Sequence, residues 1–152
     1  TPHIMIPLVG EVKELKFVKD IVTSTADRLI AEAGVKKVRV HDVSKTHISY
    51  LINDIWRYKG VVLGSCAYNL QMFPLMENLT RELLHMGVKE RLLGIFGTYS
   101  WNGGGVKNLN AFAEEIGWEV VAPAAEIMGH PEPGKEAACD ALAAAMAARL
   151  LG

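Results

Sequence analysis

Short apolar runs alternate along this chain with segments whose hydrophobic residues recur at helical spacing, and that alternation admits few folds. The runs fall at 3–6, 37–41, 61–64, 92–96 and 118–121. Val61-Val62-Leu63 shows no polar alternation, which is what a strand covered on both faces requires, so it is the best central strand. Helices are expected at about 16–33, 44–58, 74–86, 106–116 and 133–151. Val18, Val22, Thr25 and Leu29 share one face of the first, and Gly34 is placed as its C-cap. Ser44 is placed to cap the second, with Ile48, Leu51, Ile52 and Ile55 facing inward. Ala138, Leu142, Met146 and Leu150 repeat every fourth residue in the last, whose many alanines favour helix. Five strands and five helices in strict alternation predict a parallel sheet in a three-layer α/β sandwich.

The totals set outer bounds. A chain of 152 residues fits one domain able to bury most of its unfolded surface. Sixteen basic against seventeen acidic residues give a formal charge of −1 with no basic stripe, which argues against nucleic acid or an acidic membrane as partner. No apolar run has the length of a bilayer span, and the first residues lack the basic start of a secretory leader, so a cytoplasmic location is expected. Because the chain opens on Thr1, processing or excision from a longer protein is also an expectation. Cys66 and Cys139 are too far apart in sequence to suggest a disulfide framework or a metal spacing.

Two loops carry the chemistry. The fourth apolar run opens into Gly97-Thr98-Tyr99-Ser100-Trp101-Asn102-Gly103-Gly104-Gly105, and the third into Ser65-Cys66-Ala67-Tyr68-Asn69. In open α/β sheets ligands bind outside the carboxyl ends of the strands. Tyr99 and Trp101 offer π faces, and the glycines let backbone N–H groups come close, a combination suited to a flat heterocycle.

The span 61–122 resembles the flavodoxin-like domain of flavodiiron proteins, the A-type flavoproteins. The resemblance rests on the strand and loop from Val62 to Asn69 with Met72-Phe73-Pro74, on Phe96 through Gly104, and on Gly117-Trp118-Glu119-Val120-Val121. It implies a five-stranded parallel sheet of order 2-1-3-4-5 that binds FMN at the carboxyl ends of its strands. It also implies that Ala67, Tyr68 and Asn69 edge the isoalloxazine, with Ser65 and Cys66 beside them among the cofactor-binding residues, that Thr98, Tyr99, Ser100 and Trp101 wall its other side, and that Gly103 and Gly104 give backbone contacts. The implied role is an electron-transfer domain whose partner is a redox protein or a diiron domain, with a homo-oligomer left open. No catalytic residue is assigned.

The chain departs from the family pattern in two places. Cys66-Ala67 stands where the family shows Pro-Thr, which removes a hydroxyl and adds a thiol, read here as a small apolar filler. The family also has a hydroxyl-rich phosphate loop after the first strand, whereas this chain has Pro7-Leu8-Val9-Gly10-Glu11-Val12-Lys13-Glu14-Leu15, without a hydroxyl and with two carboxylates. Thr23-Ser24-Thr25 is the nearby hydroxyl cluster, but using it would leave too short a crossover helix.

Other constellations are weaker. His3, His41, His47, His85 and His130 show no ligand spacing, so no metal is expected. Asp20, Asp27, Glu32, Glu114 and Glu115 belong on solvated helix faces, and no glycine fingerprint precedes Asp42. Two alternatives to FMN-dependent electron transfer stay open: a flavodoxin-fold module that has lost FMN and serves in assembly or docking, and a free-standing flavin reductase.

Overall fold

The computed structural model describes residues 3–8 (backbone only), 34–35, 37–129, 134 and 137–152. Among the described residues, seven strands form one sheet: β1 (His3–Leu8), β2 (Lys37–Asp42), β3 (Gly60–Tyr68), β4 (Gln71–Met72), β5 (Leu92–Tyr99), β6 (Glu119–Val120) and β7 (Ala125–Met128). The described helices are α1 (Ile48–Arg57), α2 (Pro74–Met86), α3 (Gly104–Ile116) and α4 (Ala137–Leu151). The main path runs β2-β1-β3-β5-β6, all parallel. This is the expected order 2-1-3-4-5, with β3 central between β1 and β5.

Burial explains the centre. Val61, Val62, Leu63, Leu93 and Ile95 are buried, so β3 and β5 are covered on both sides. Val61, Leu63, Leu93 and Ile95 pack with Leu51 and Ile55 of α1, Met76, Leu79 and Leu83 of α2, and Leu109 and Phe112 of α3. Val62 and Leu92 join Leu142, Met146 and Ala147 of α4 in a second cluster. Because successive strand residues point to opposite faces, the two clusters are the two outer layers of the sandwich. Of the residues that repeat every fourth position in α4, Leu142 and Met146 are buried, Leu150 is half-buried and Ala138, at its start, is exposed.

Four local predictions are corrected. Ser44 does not cap α1: its N–H and hydroxyl both bond Asp42 Oδ1, at 2.9 and 2.5 Å, and fold the chain back after β2. His47 takes the cap, its Nδ1 accepting from the Ser49 N–H at 3.3 Å. The last strand is split in two, with β6 on the start of β5 and β7 on its end. Pro123 lies between the halves and has no N–H to give the ladder. The third difference is β4, a short antiparallel return on β3 that breaks the strict alternation. Pro7 and Leu8, read as loop, are the last residues of β1, where they pair with His41 and Asp42 of β2. The expected helix at 16–33, its cap excepted, and the Thr23-Ser24-Thr25 cluster lie outside the described residues, as does the rest of the 7–15 loop.

Candidate functional site

The β3 and β5 ends that carry the two loops are neighbours in the sheet, with Cys66 in register with Thr98. After Cys66 the chain leaves the buried ladder: Ala67 is half-buried, and Tyr68 and Asn69 are exposed. It then turns back through Asn69 and Leu70, at φ 46° and 63°, so that Tyr68 pairs with Gln71 and Ala67 with Met72. A two-residue hairpin with both φ positive is the connection whose twist suits the flanking strands. Asn tolerates that conformation; an exposed Leu adopts it at a cost. Ser65, buried below, braces the turn: its hydroxyl accepts from the Phe73 N–H and donates to the Cys66 carbonyl, each at 2.9 Å.

The second loop runs from Thr98 and Tyr99, both half-buried, to Ser100 and Trp101, both exposed. Trp101 is 87% exposed, an unusual position for a large apolar side chain. The following glycines are needed for close packing. A Cβ on Gly104 would lie 2.2 Å from both the carbonyl carbon and oxygen of Leu70, and one on Gly105 would lie 2.9 Å from the Ser65 oxygen. The hairpin therefore rests directly on the first turn of α3, which explains why this helix opens at Gly104 and not at Val106 as its sequence predicts. Asn108 Nδ2 donates to Gln71 Oε1 at 2.7 Å and ties the two walls again.

All eleven residues predicted for the site thus lie on these two adjoining strand ends. Tyr68, Asn69, Ser100 and Trp101 are at the surface; Cys66, Ala67, Thr98, Tyr99 and Gly103 are half-buried. Ser65 and Gly104 are buried, and their packing braces and shapes the floor beneath the loops. Tyr68 meets Phe73 edge-on, ring centroids 6.0 Å apart, which leaves its own ring half exposed. The arrangement fits a planar aromatic ligand on the ring side: two exposed aromatics flank backbone held at close approach by glycine. The phosphate side would fall in the segment after β1, outside the described residues.

Sequence reasoning missed Glu126. It pairs with Gly97 across the β5–β7 ladder, and its carboxylate reaches Gly103, where a Cβ would lie 2.5 Å from Oε1. Gly103 is the N-cap of α3 and makes no side-chain cap bond. No local spacing links positions 103 and 126; only the strand pairing brings them together.

Elsewhere, His41 Nε2 and Asp54 Oδ2 are 2.7 Å apart and join β2 to α1. Among the described residues, no three His, Cys, Asp or Glu side chains gather as a metal set, and no helix is long and apolar enough to cross a membrane. Glu114 and Glu115 are exposed, as their helical positions predict.

No family profile matches the chain. Over 82 residues, 54% of the chain, it is 32% identical to the anaerobic nitric oxide reductase flavorubredoxin of Vibrio vulnificus, of which the match covers 17%. Among solved structures, rubredoxin oxygen:oxidoreductase of Desulfovibrio gigas superposes on 99% of the chain with TM-score 0.87 and 16% identity, the match covering 36% of that protein. An archaeal flavodoxin matches over the full length of both chains with TM-score 0.79 and 18% identity. The fold is flavodoxin-like, and the chain spans about a sixth of the length of the flavorubredoxin it matches.

Proposed function

We propose that this chain, a flavodoxin-like domain of the kind found in flavodiiron proteins, binds a flavin as FMN at the carboxyl end of its sheet and passes electrons to a separate redox partner. The observation that carries this reading is the pair of loops on β3 and β5, with Tyr68 and Trp101 exposed above backbone packed through Gly104 and Gly105. A flavin supplies one- and two-electron chemistry when bound, and the protein supplies orientation and electrostatics. Tyr68 and Trp101 would cover the ring faces, and Cys66, Ala67 and Asn69 would border one edge. Thr98, Tyr99, Ser100, Gly103 and Gly104 would form the opposite wall. Ser65 holds the β3–β4 hairpin in the shape this requires.

In this reading residues 1–152 act as one domain in the cytoplasm, and the acceptor is a diiron domain or chain. The names of the relatives, nitric oxide reductase and oxygen:oxidoreductase, support that acceptor class. The isolated chain would then reduce neither gas.

A second reading has its own observation. Pro7 and Leu8 extend β1, so they are not part of the loop, and the sequence from Val9 to Leu15 that follows has Glu11 and Glu14 and no hydroxyl, a composition unsuited to cradling a dianion. This favours a module that has lost FMN and serves in docking. The visible absorption spectrum of purified protein, before and after incubation with FMN, separates the two. Flavin bands that stay with the protein through gel filtration support electron transfer; their absence after reconstitution selects the docking module.

A further inference from the structure

We infer that Asn102 is a site of spontaneous deamidation, at which the Gly103 nitrogen attacks the Asn102 side-chain amide and converts the crest of the β5–α3 loop to isoaspartate and aspartate as the protein ages. A bond forms between the Gly103 nitrogen and Asn102 Cγ, the Cγ–Nδ2 bond breaks, and the Gly103 amide proton leaves with the departing group as ammonia. Water then opens the succinimide at either carbonyl. One opening leaves a side-chain carboxylate; the other reroutes the main chain through Cγ as isoaspartate. No oxidant or cofactor takes part. A following glycine favours ring closure because no Cβ stands beside the attacking nitrogen and the backbone turns freely there.

The fold decides which of the six asparagines reacts. Asn53 lies in α1, Asn78 in α2, and Asn108 and Asn110 in α3, where the next N–H is directed along the helix and away from the side chain. Asn78 Oδ1 also accepts from Arg81 Nη2 at 2.9 Å, and Asn108 Nδ2 donates to Gln71. Asn69 is exposed in the β3–β4 hairpin, but the branched Leu70 follows it and both are held at positive φ. Asn102 alone precedes glycine, and it is exposed between β5 and α3, outside helix and strand. Ser100 and Trp101 beside it are exposed too, so water reaches the amide. The Gly104 N–H donates to the Asn102 carbonyl at 3.1 Å, a contact within the loop that a local opening breaks while Gly104 stays against Leu70. The fold accommodates the product. α3 has no acidic residue in its first turn and no side-chain cap bond, so a carboxylate just before its positive end is favourable. Isoaspartate adds a main-chain carbon between Trp101 and Gly103 and shifts the crest over a floor that keeps its packing.

The test incubates the whole folded chain at mildly alkaline pH for days, beside the same chain in urea, and follows both by peptide mapping. Trypsin cuts after Arg91 and Lys107 and releases residues 92–107, in which Asn102 is the sole asparagine. That peptide is expected to gain the mass of an amide-to-acid change and to split into two species, with isoaspartate, identified by an isoaspartyl methyltransferase, in excess. The native rate should be no more than about tenfold below the rate in urea, because a surface crest opens at little cost. The peptide 60–81, which carries Asn69 and Asn78, should stay largely unmodified in the folded chain. Asn102→Gln should remove the signal and Gly103→Ala should slow it. Asn102→Asp, which reproduces one product, should melt within about 2 °C of wild type, as exposed substitutions do. A peptide that reacts in urea but stays intact in the folded chain overturns the inference, as does a signal that persists in Asn102→Gln.

Discussion

The two ends of the sheet make opposite use of their polar and aromatic residues. At the amino ends of β3 and β5 lies a concavity of about 670 Å³ lined by Lys59, Lys89, Glu90, Arg91, Glu119 and Arg149, among others. Its chemistry is largely engaged in holding the fold. Arg91 donates from Nε to the Ile55 carbonyl and from Nη2 to the Trp56 carbonyl, each at 2.9 Å, and from Nη1 to the Lys89 carbonyl at 2.8 Å. It thereby satisfies the last carbonyls of α1, which a helix terminus leaves without partners. Arg149 pairs with Glu119, joining α4 to β6. At the carboxyl ends, by contrast, Tyr68, Leu70, Trp101 and Met128 stand exposed. The amino end commits its polar groups to the fold, whereas the carboxyl end leaves aromatic and apolar side chains available to a ligand.

This contrast can be broken most directly at Gly104. Gly104→Ala puts a methyl group against the backbone of Leu70, and overpacking of a close-packed contact costs about 3 kcal/mol. Thermal melting should fall by roughly 10 °C for a domain of this size, and flavin retention should be lost with it. A variant that melts and binds like wild type would show that the hairpin does not rest on α3.

The opposite end supplies the control. Arg91→Ala should lower stability by about 2 kcal/mol, because hydrogen bonds from a charged donor to the α1 carbonyls are lost. Denaturant titration measures that loss, and flavin affinity at a temperature where the protein is folded should be unchanged. Weakened binding would mean that the two ends are coupled.

The cofactor's phosphate sharpens the comparison within the carboxyl end. The stretch Val9 to Leu15 has no hydroxyl and two carboxylates, so FMN and riboflavin affinities should differ by less than about tenfold, or roughly 1.4 kcal/mol. Calorimetric titration with both ligands decides it. A strong preference for FMN would place the phosphate on backbone amides or on Thr23-Ser24-Thr25. The smallest effect is expected from Trp101→Ala. Aromatic contact is worth roughly 0.5–1.5 kcal/mol, so flavin affinity should fall about threefold to tenfold, and stability should hold because the side chain is exposed. Unquenched Trp fluorescence in the complex, with affinity unchanged, would remove Trp101 from the site.

The legibility of these features in the sequence follows their physical origin. β3, β5 and α2 were readable because each is fixed by its own residues: continuous apolar runs in the strands, and Pro74 with Gly87 bracketing the helix. The hairpin at Tyr68 to Met72 was not. Asn69 signals a left-handed turn, but Leu70 does not, and its conformation is imposed by packing on Gly104. The α3 start was misplaced for a related reason. Glycines oppose helix by propensity, yet here they enter one because nothing larger fits beneath Ser65 and Leu70. Ser44 looked like a cap until Asp42, two residues earlier, took its hydroxyl. The eleven site residues were legible as two loops, and their adjacency followed from strand order. Glu126 depends wholly on strand pairing and left no local trace.

The glycine floor also bears on how such a loop can change over generations. At Gly97 a methyl group would lie 2.6 Å from the Ser65 oxygen and from Val106 Cγ2, at Gly105 within 3.0 Å of the Ser65 and Cys66 oxygens, and at Gly104 closer still to Leu70. No single amino-acid replacement at these positions avoids a collision, and a rescuing change would have to move backbone on the opposite wall. Ser100, Trp101 and Asn102, all exposed at the crest, meet no such barrier. A lineage selecting for a new ligand or a new electron partner would therefore explore the crest one substitution at a time, while the floor stays in place and hands each trial the same shape to build on.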